Sequence, residues 1–308
     1  MGLEWIVFAF LSTVFFSAAG VLDKLLLSSD ANDSKAYIVC QILIQQIFTL
    51  PVIMIVGTNF IYPESLYAVA FGCLQVLPSF YYMRAMQIEE ASKVTALEYV
   101  YPLFVFIGSV LLLGEVLEMK QCAGVLMLLA GTLLISYRNN CSRGEKRQAG
   151  ILALSPAIKP FLSYWIMTAA YYLSMKYLLI SIDEWHLYTW SSLGSLAAIM
   201  PLMTVPSTRL EVISFFGRGN RAIGALISEE AFQFMGTISS IFAYAVGSVS
   251  LVSSIGALQP ILTVLLILAL GLFAPSLASD IKEKTDRNAL IQKSFSFLIV
   301  LTGIYLVS

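Results

Sequence analysis

Apolar segments of about 20 residues recur along the whole chain, each long enough to cross roughly 30 Å of hydrocarbon. They fall near 4–22, 36–57, 65–86, 94–114, 121–137, 158–179, 186–205, 227–247, 250–272 and 291–307. The balance of 58% hydrophobic to 12% charged residues, with a mean hydropathy of +0.83, leaves too little polar material to clothe soluble domains. The expectation is an all-α, polytopic membrane protein of about ten transmembrane helices. The third and eighth segments are the weakest, because Gln75 and Pro78 interrupt one and Glu229 and Glu230 sit at the margin of the other.

The first segment ends in "SAAG" from Ser17, yet no Lys or Arg precedes it as a secretory signal requires, so it reads as a retained helix. Of the 18 Lys and Arg residues, 16 fall on the side reached after odd-numbered segments, and only Lys120 and Lys176 lie opposite. By the positive-inside rule the first side is cytoplasmic, which places both ends of the chain outside a cell membrane. The basic run "RGEKR" from Arg143 is then an orientation signal or a contact for anionic lipid, and no nucleic-acid partner is expected. Cys40, Cys73 and Cys122 lie in apolar segments and Cys141 in a loop, and His186 is the single histidine, so neither a disulfide framework nor a metal site is expected. No G-x-x-x-x-G-K-[ST] loop occurs, no cofactor is implied, and no hydrolytic constellation can be assembled.

The chain repeats itself. "SKVTALEYVYPLFVF" from Ser92 aligns with "SLVSSIGALQPILTV" from Ser250 at a constant offset of 158, pairing Val94 with Val252, Thr95 with Ser253 and Pro102 with Pro260. "AGTLLIS" at Ala130 resembles "TGIYLVS" at Thr302, with about 14 extra residues in the second copy, and "DKLLL" at Asp23 resembles "MKYLLI" at Met175. The repeats divide the chain into a five-helix unit at 1–137, a basic linker at 138–157 and a second five-helix unit at 158–308. An odd number of spans per copy makes the second copy start on the opposite membrane face, as inverted repeats suited to alternating access.

The "YVYPL" and "ALQPI" helix starts, together with "LLLGEVLEMKQCAGVLMLLAGTLLI" closing the first half, resemble the ten-helix, EamA-like branch of the drug/metabolite transporter superfamily over nearly the whole chain. The resemblance implies five-plus-five inverted repeats around a central cavity, and transport of amino acids, amines, sugars or metabolites. Two features depart from the family. The second half has Leu272 and Phe273 where the first has Gly114 and Glu115, and the charge count puts the termini outside where relatives keep them cytoplasmic.

Glu98 is the sharpest candidate. A carboxylate in low dielectric favours its neutral form, and so can exchange a proton for a cationic substrate. Alternatively Glu98 occupies the first turn of its helix and interacts with the positive helix N-terminus. Pro102 and Pro260 each remove a backbone donor and kink their helices, either exposing polar backbone to a cavity or simply fitting the bundle. Tyr82, Tyr101 and Tyr171 offer faces for an amine by cation-π attraction, whereas Trp185, Tyr188 and Trp190 read as an interfacial belt, with His186 among them. Gln75 and Gln259 complete the candidate substrate or proton site, although interhelical hydrogen bonding explains such residues without a ligand. Lys24 and Lys176 are expected to snorkel or to pair with Asp23 and Asp183.

The expected function is secondary transport, as exporter or importer, of a small polar metabolite of amine or amino-acid character, with protons as the candidate coupling ion; it is not an enzyme. A non-transporting scaffold and a membrane-embedded lipid-modifying protein are the alternatives.

Overall fold

A computed structural model describes residues 4–29, 34–88, 94, 98, 100–116, 118–136, 158–273, 295–299, 301–303 and 305–306. The linker at 138–157, Cys141 and the basic insertion after residue 273 lie outside these. The described residues form eleven α-helices and no strand. They are α1 (Glu4–Ser29), α2 (Ser34–Val56), α3 (Glu64–Ile88), α4 (Tyr101–Leu112), α5 (Met119–Ser136), α6 (Ile158–Leu178), α7 (Glu184–Met203), α8 (Pro206–Phe216), α9 (Asn220–Val246), α10 (Val249–Ile255) and α11 (Gln259–Phe273). Helical residues recur at 295–299, 301–303 and 305–306 in the last apolar segment.

Helix is the expected outcome for apolar segments, since it satisfies every backbone donor and acceptor within the segment. Four stretches are long and apolar enough to cross a membrane, namely α1, α2, α3 and the run Val249–Phe273, and α7 with α8 makes a fifth if that bent pair is one span. The protein is a multi-pass membrane protein. α3 runs unbroken through Gln75 and Pro78.

Two local expectations change. Residues 206–216, read as loop from their charges, form α8, turned 114° from α7. Val205 is extended and Pro206 follows at the first helical position, where its missing N–H costs nothing. In addition, α9 starts at Asn220, after Gly219 with φ +99°, seven residues before the expected start. Glu229 and Glu230 therefore lie inside α9, buried, and not at its margin.

The helices from the two halves interleave. α1 packs most extensively on α9, and α3 on α7. The second crossing is unusually close: a Cβ on Gly72 would fall 1.9 Å from the Ser191 carbonyl oxygen, and one on Gly194 would fall 2.1 Å from that of Val69. Ser195 Oγ and Cys73 Sγ donate across this seam to the carbonyls of Gly72 and Gly194, both at 3.1 Å. Two apolar clusters take opposite ends of α1, one around Trp5, Tyr101, Tyr244 and Val249, the other around Leu26, Tyr37, Phe161 and Leu226.

Candidate functional site

Both proline-bearing segments are interrupted at the matching place. Val94 and Glu98 are helical, Val100 is a turn, and α4 resumes at Tyr101 with Pro102 in its first turn. In the second half α10 ends at Ile255, a 3-10 turn covers Gly256–Leu258, and α11 resumes at Gln259 followed by Pro260. The missing proline N–H explains both interruptions. Each break brings a polar side chain to the interior: Glu98 in one, Gln259 in the other.

These side chains border a cavity of about 190 Å³, whose walls come from α1, α2, α3, α6, α7 and α9 and from the two broken segments. Of the residues singled out from sequence, Gln75, Tyr82, Glu98, Tyr171 and Gln259 line it. Tyr101 does not. It borders a smaller neighbouring pocket of about 20 Å³ with Tyr172, Ser240 and Tyr244. Tyr172 belongs to both spaces, stacked on Tyr101 with ring centroids 5.1 Å apart and 5.0 Å from Tyr244, so three tyrosine rings close the cavity in that direction.

Glu98 is held by Tyr164, whose hydroxyl donates to Oε1 at 2.7 Å, while Oε2 is buried with no hydrogen-bond partner among the described residues. One oxygen is thus positioned, and the other lacks a donor among the described residues. Two further carboxylates line the same space and escaped selection from sequence, Asp23 and Glu230. Asp23 Oδ1 accepts from Tyr37 Oη at 2.8 Å and from Gln41 Nε2 at 2.9 Å. The usable signal in the sequence was a carboxylate within an apolar segment, which applied to Asp23 as much as to Glu98. The described lining residues thus include three carboxylates, Asp23, Glu98 and Glu230, and no Lys or Arg.

The two lysines neither snorkel nor follow the proposed pairing. Lys24, only 5% exposed, donates to the carbonyl of Met86 near the end of α3. Lys176 donates to the carbonyls of Tyr244 at 2.7 Å and Gly247 at 2.8 Å, at the end of α9. Each satisfies carbonyls that a helix C-terminus leaves without partners, where a cation is favoured. Asp183 instead caps α7, accepting from Trp185 N and His186 N at 3.1 Å and meeting His186 Nδ1 at 2.5 Å. Partial burial pushes its carboxyl up, but the backbone and side-chain contacts of His186 and the Trp185 N–H outweigh this and hold it below its ordinary value of 3.8.

Glu115 has a comparable capping role. Gly114 takes φ +65°, a conformation that side chains disfavour, and turns the chain so that Glu115 reaches α10. There Oε1 accepts from Val249 N at 2.8 Å and Oε2 from the hydroxyls of Ser248 and Ser250 at 2.7 and 2.8 Å. A carboxylate at a helix N-terminus is favoured by the unpaired N–H groups and the dipole.

Residues 3–137 match the model of the EamA-like transporter family. The EamA-like match covers α1 to α5 and agrees with the drug/metabolite transporter superfamily suggested by the proline and Gly-Glu motifs. No curated protein matches the chain. A solved structure described only as the crystal structure of a protein is similar at 17% identity, covering 96% of this chain and 97% of its own, with a TM-score of 0.58. That likeness extends over both halves and concerns fold.

Proposed function

We propose that the protein is a secondary transporter, exporter or importer, of a small cationic or zwitterionic metabolite of amine or amino-acid character, working by alternating access. The observation that carries this reading is the cavity bordered by Asp23, Glu98 and Glu230 with no Lys or Arg among its described lining. Tyr82, Tyr164, Tyr171 and Tyr172 surround the acids with aromatic faces, which attract ammonium groups and are worth about 2 kcal/mol when desolvated. The site set is Glu98, Gln75, Tyr82, Tyr171 and Gln259, with Tyr101 in the tyrosine layer beyond. Small-molecule substrate and lipid are the partners, in a cell membrane with the basic loops cytoplasmic.

Two five-helix repeats, 1–137 and 158–308, are supported by paired features at matching positions. The lysines near the ends of α1 and α6 bind the ends of α3 and α9, and both proline-bearing segments are broken. Inverted copies that exchange conformations would open the cavity to one side and then the other.

The test is a thermal-shift panel on purified protein with choline, other amines, amino acids, sugars and phosphate esters, repeated with Glu98→Gln. A ligand at 100 times its Kd stabilises by about 2.7 kcal/mol when it binds only the folded form. Amines or amino acids should shift the wild type and lose their effect in Glu98→Gln. A response confined to sugars or phosphate esters would sink the cation reading.

A further inference from the structure

A second acidic site stands where α1 meets α9. Asp23, Glu229 and Glu230 are 4%, 0% and 4% exposed. Asp23 and Glu230 border the cavity, while Glu229, one residue and about 100° further round α9, does not. Neither oxygen of Glu229 has a hydrogen-bond partner among the described residues. Gln41, which gives one of its two amide N–H groups to Asp23 Oδ1 at 2.9 Å, and Glu230, an acceptor when ionised, are the polar side chains beside it among the described residues, so a second N–H of Gln41 is the one protein donor within its reach.

Two adjacent buried carboxylates with at most one amide N–H between them lose their hydration and gain little in return, a penalty of several kcal/mol for the doubly ionised pair. One proton removes one of these charges. It also supplies the missing donor, because a carboxylic acid on Glu229 or Glu230 can donate to the carboxylate beside it.

The titratable groups on the elements packed against α9 do not offer an alternative. α1 presents Asp23 and Lys24, α2 presents Tyr37 and Cys40, and α7 presents Tyr188, while α10 carries no titratable side chain. Lys24 reaches the Met86 carbonyl, and Lys176 of α6 serves carbonyls at the other end of α9. Arg209 on α8 is exposed, and Arg218 after it lies 6.0 Å over the Phe215 ring. Tyr82 and Glu98 line the same cavity and carry no positive charge. A metal ion would need several oxygens converging on it, whereas Asp23 Oδ1 is already committed to two donors.

We infer that Glu229, with Glu230 and Asp23, binds a proton at the α1–α9 seam, separate from the Glu98 position at which a cationic substrate binds. The exchange role rests on the transporter reading above; the proton site itself does not. On substrate entry the proton leaves a Glu229 or Glu230 oxygen for water in the cavity, restoring the carboxylate, and Glu230 is the member of the pair that borders that water.

The experiment follows thermal stability against pH for the purified full chain without substrate, comparing wild type with Glu229→Gln. A proton held in the folded chain and absent from the unfolded one makes stability fall as pH rises through the folded site's titration. The wild type should lose stability from mildly acidic to alkaline pH, and Glu229→Gln, which mimics the protonated acid, should flatten that slope. An unchanged slope in Glu229→Gln overturns the assignment, as does a stabilisation by sodium over potassium that replaces the pH effect.

If Glu229→Gln fails to fold, infrared spectroscopy of Glu98→Gln gives a second reading. A protonated-carboxyl band present at neutral pH and lost on alkalinisation supports the site, and its absence overturns it. Neither readout uses a substrate. A chain whose pH slope flattens in Glu229→Gln yet ignores every amine and amino acid therefore keeps the proton site and loses the cation reading alone.

Discussion

The two halves of the protein use the same scaffold devices and different charges. Lys24 and Lys176, near the ends of α1 and α6, bind carbonyls at the ends of α3 and α9. The segments bearing Pro102 and Pro260 break at the same place, and Gln75 and Gln233, also 158 apart, both line the cavity. The acids do not follow this pairing. Asp23 faces Met175 in the alignment and Glu98 faces Gly256, while Glu115 has Phe273 in its column. Backbone polarity at helix C-termini is satisfied in both halves by matching lysines, whereas the N-terminus of α10 is capped by Glu115 from the first half alone.

The strongest way to break the comparison is at the seam that joins the halves. Gly72→Ala or Gly194→Ala would push a Cβ into the facing backbone, and neither carbonyl can move aside without separating α3 from α7. We expect a loss of about 3 kcal/mol for each, read as a large fall in Tm and loss of a monodisperse peak on size exclusion. Wild-type stability in either variant would show that the two halves are not held this closely.

The lysine pair sharpens the comparison at an intermediate level. Lys24→Met should cost about 2 kcal/mol, because it leaves a buried carbonyl without its charged donor. Lys176 is less buried, so water can replace it in part, and Lys176→Met should cost about 1 kcal/mol. Thermal melts of both variants measure the difference. Equal losses would mean that the roles match in strength as well as in position.

The smallest effect belongs to the cap of α7. Asp183→Ala should cost about 1 kcal/mol at neutral pH. Because the folded carboxyl titrates below its ordinary value of 3.8, its contribution is complete above that value and is lost as pH falls through the lower, folded one. Asp183→Asn retains the cap and should remove only this acid-range loss. Melting curves from neutral to strongly acidic pH would contradict the cap if wild type and Asp183→Asn lost stability in parallel.

Much of the cavity's lining is legible in the sequence. Glu98, Gln75, Tyr82, Tyr171 and Gln259 are polar or aromatic residues in apolar segments, which must face protein or water, and all five reach one cavity. Tyr101 borders the smaller pocket, since a residue's nearness to a break does not say which side of the break it faces. Asp23 was treated as a partner for Lys24 because the two are adjacent. On a helix, adjacent residues point about 100° apart, so Asp23 turns to Tyr37 and Gln41 while Lys24 reaches α3. An apolar window trims away charges at its edge and so leaves Glu229 and Glu230 at a margin, whereas a helix starting at Asn220 carries them inside.

From the sequence alone came the membrane-spanning class, the places where proline breaks two segments, and the matched segments of the two halves. These follow from local rules: apolar length, the missing proline N–H and residue identity at a constant offset. Only the tertiary structure decided which acids share a space, which helix end each lysine serves, and that α7 turns into α8. Those depend on the rotation of each helix about its axis and on its neighbours, and contacts across 60 to 240 residues of chain leave no periodic mark in the sequence that one local window can read.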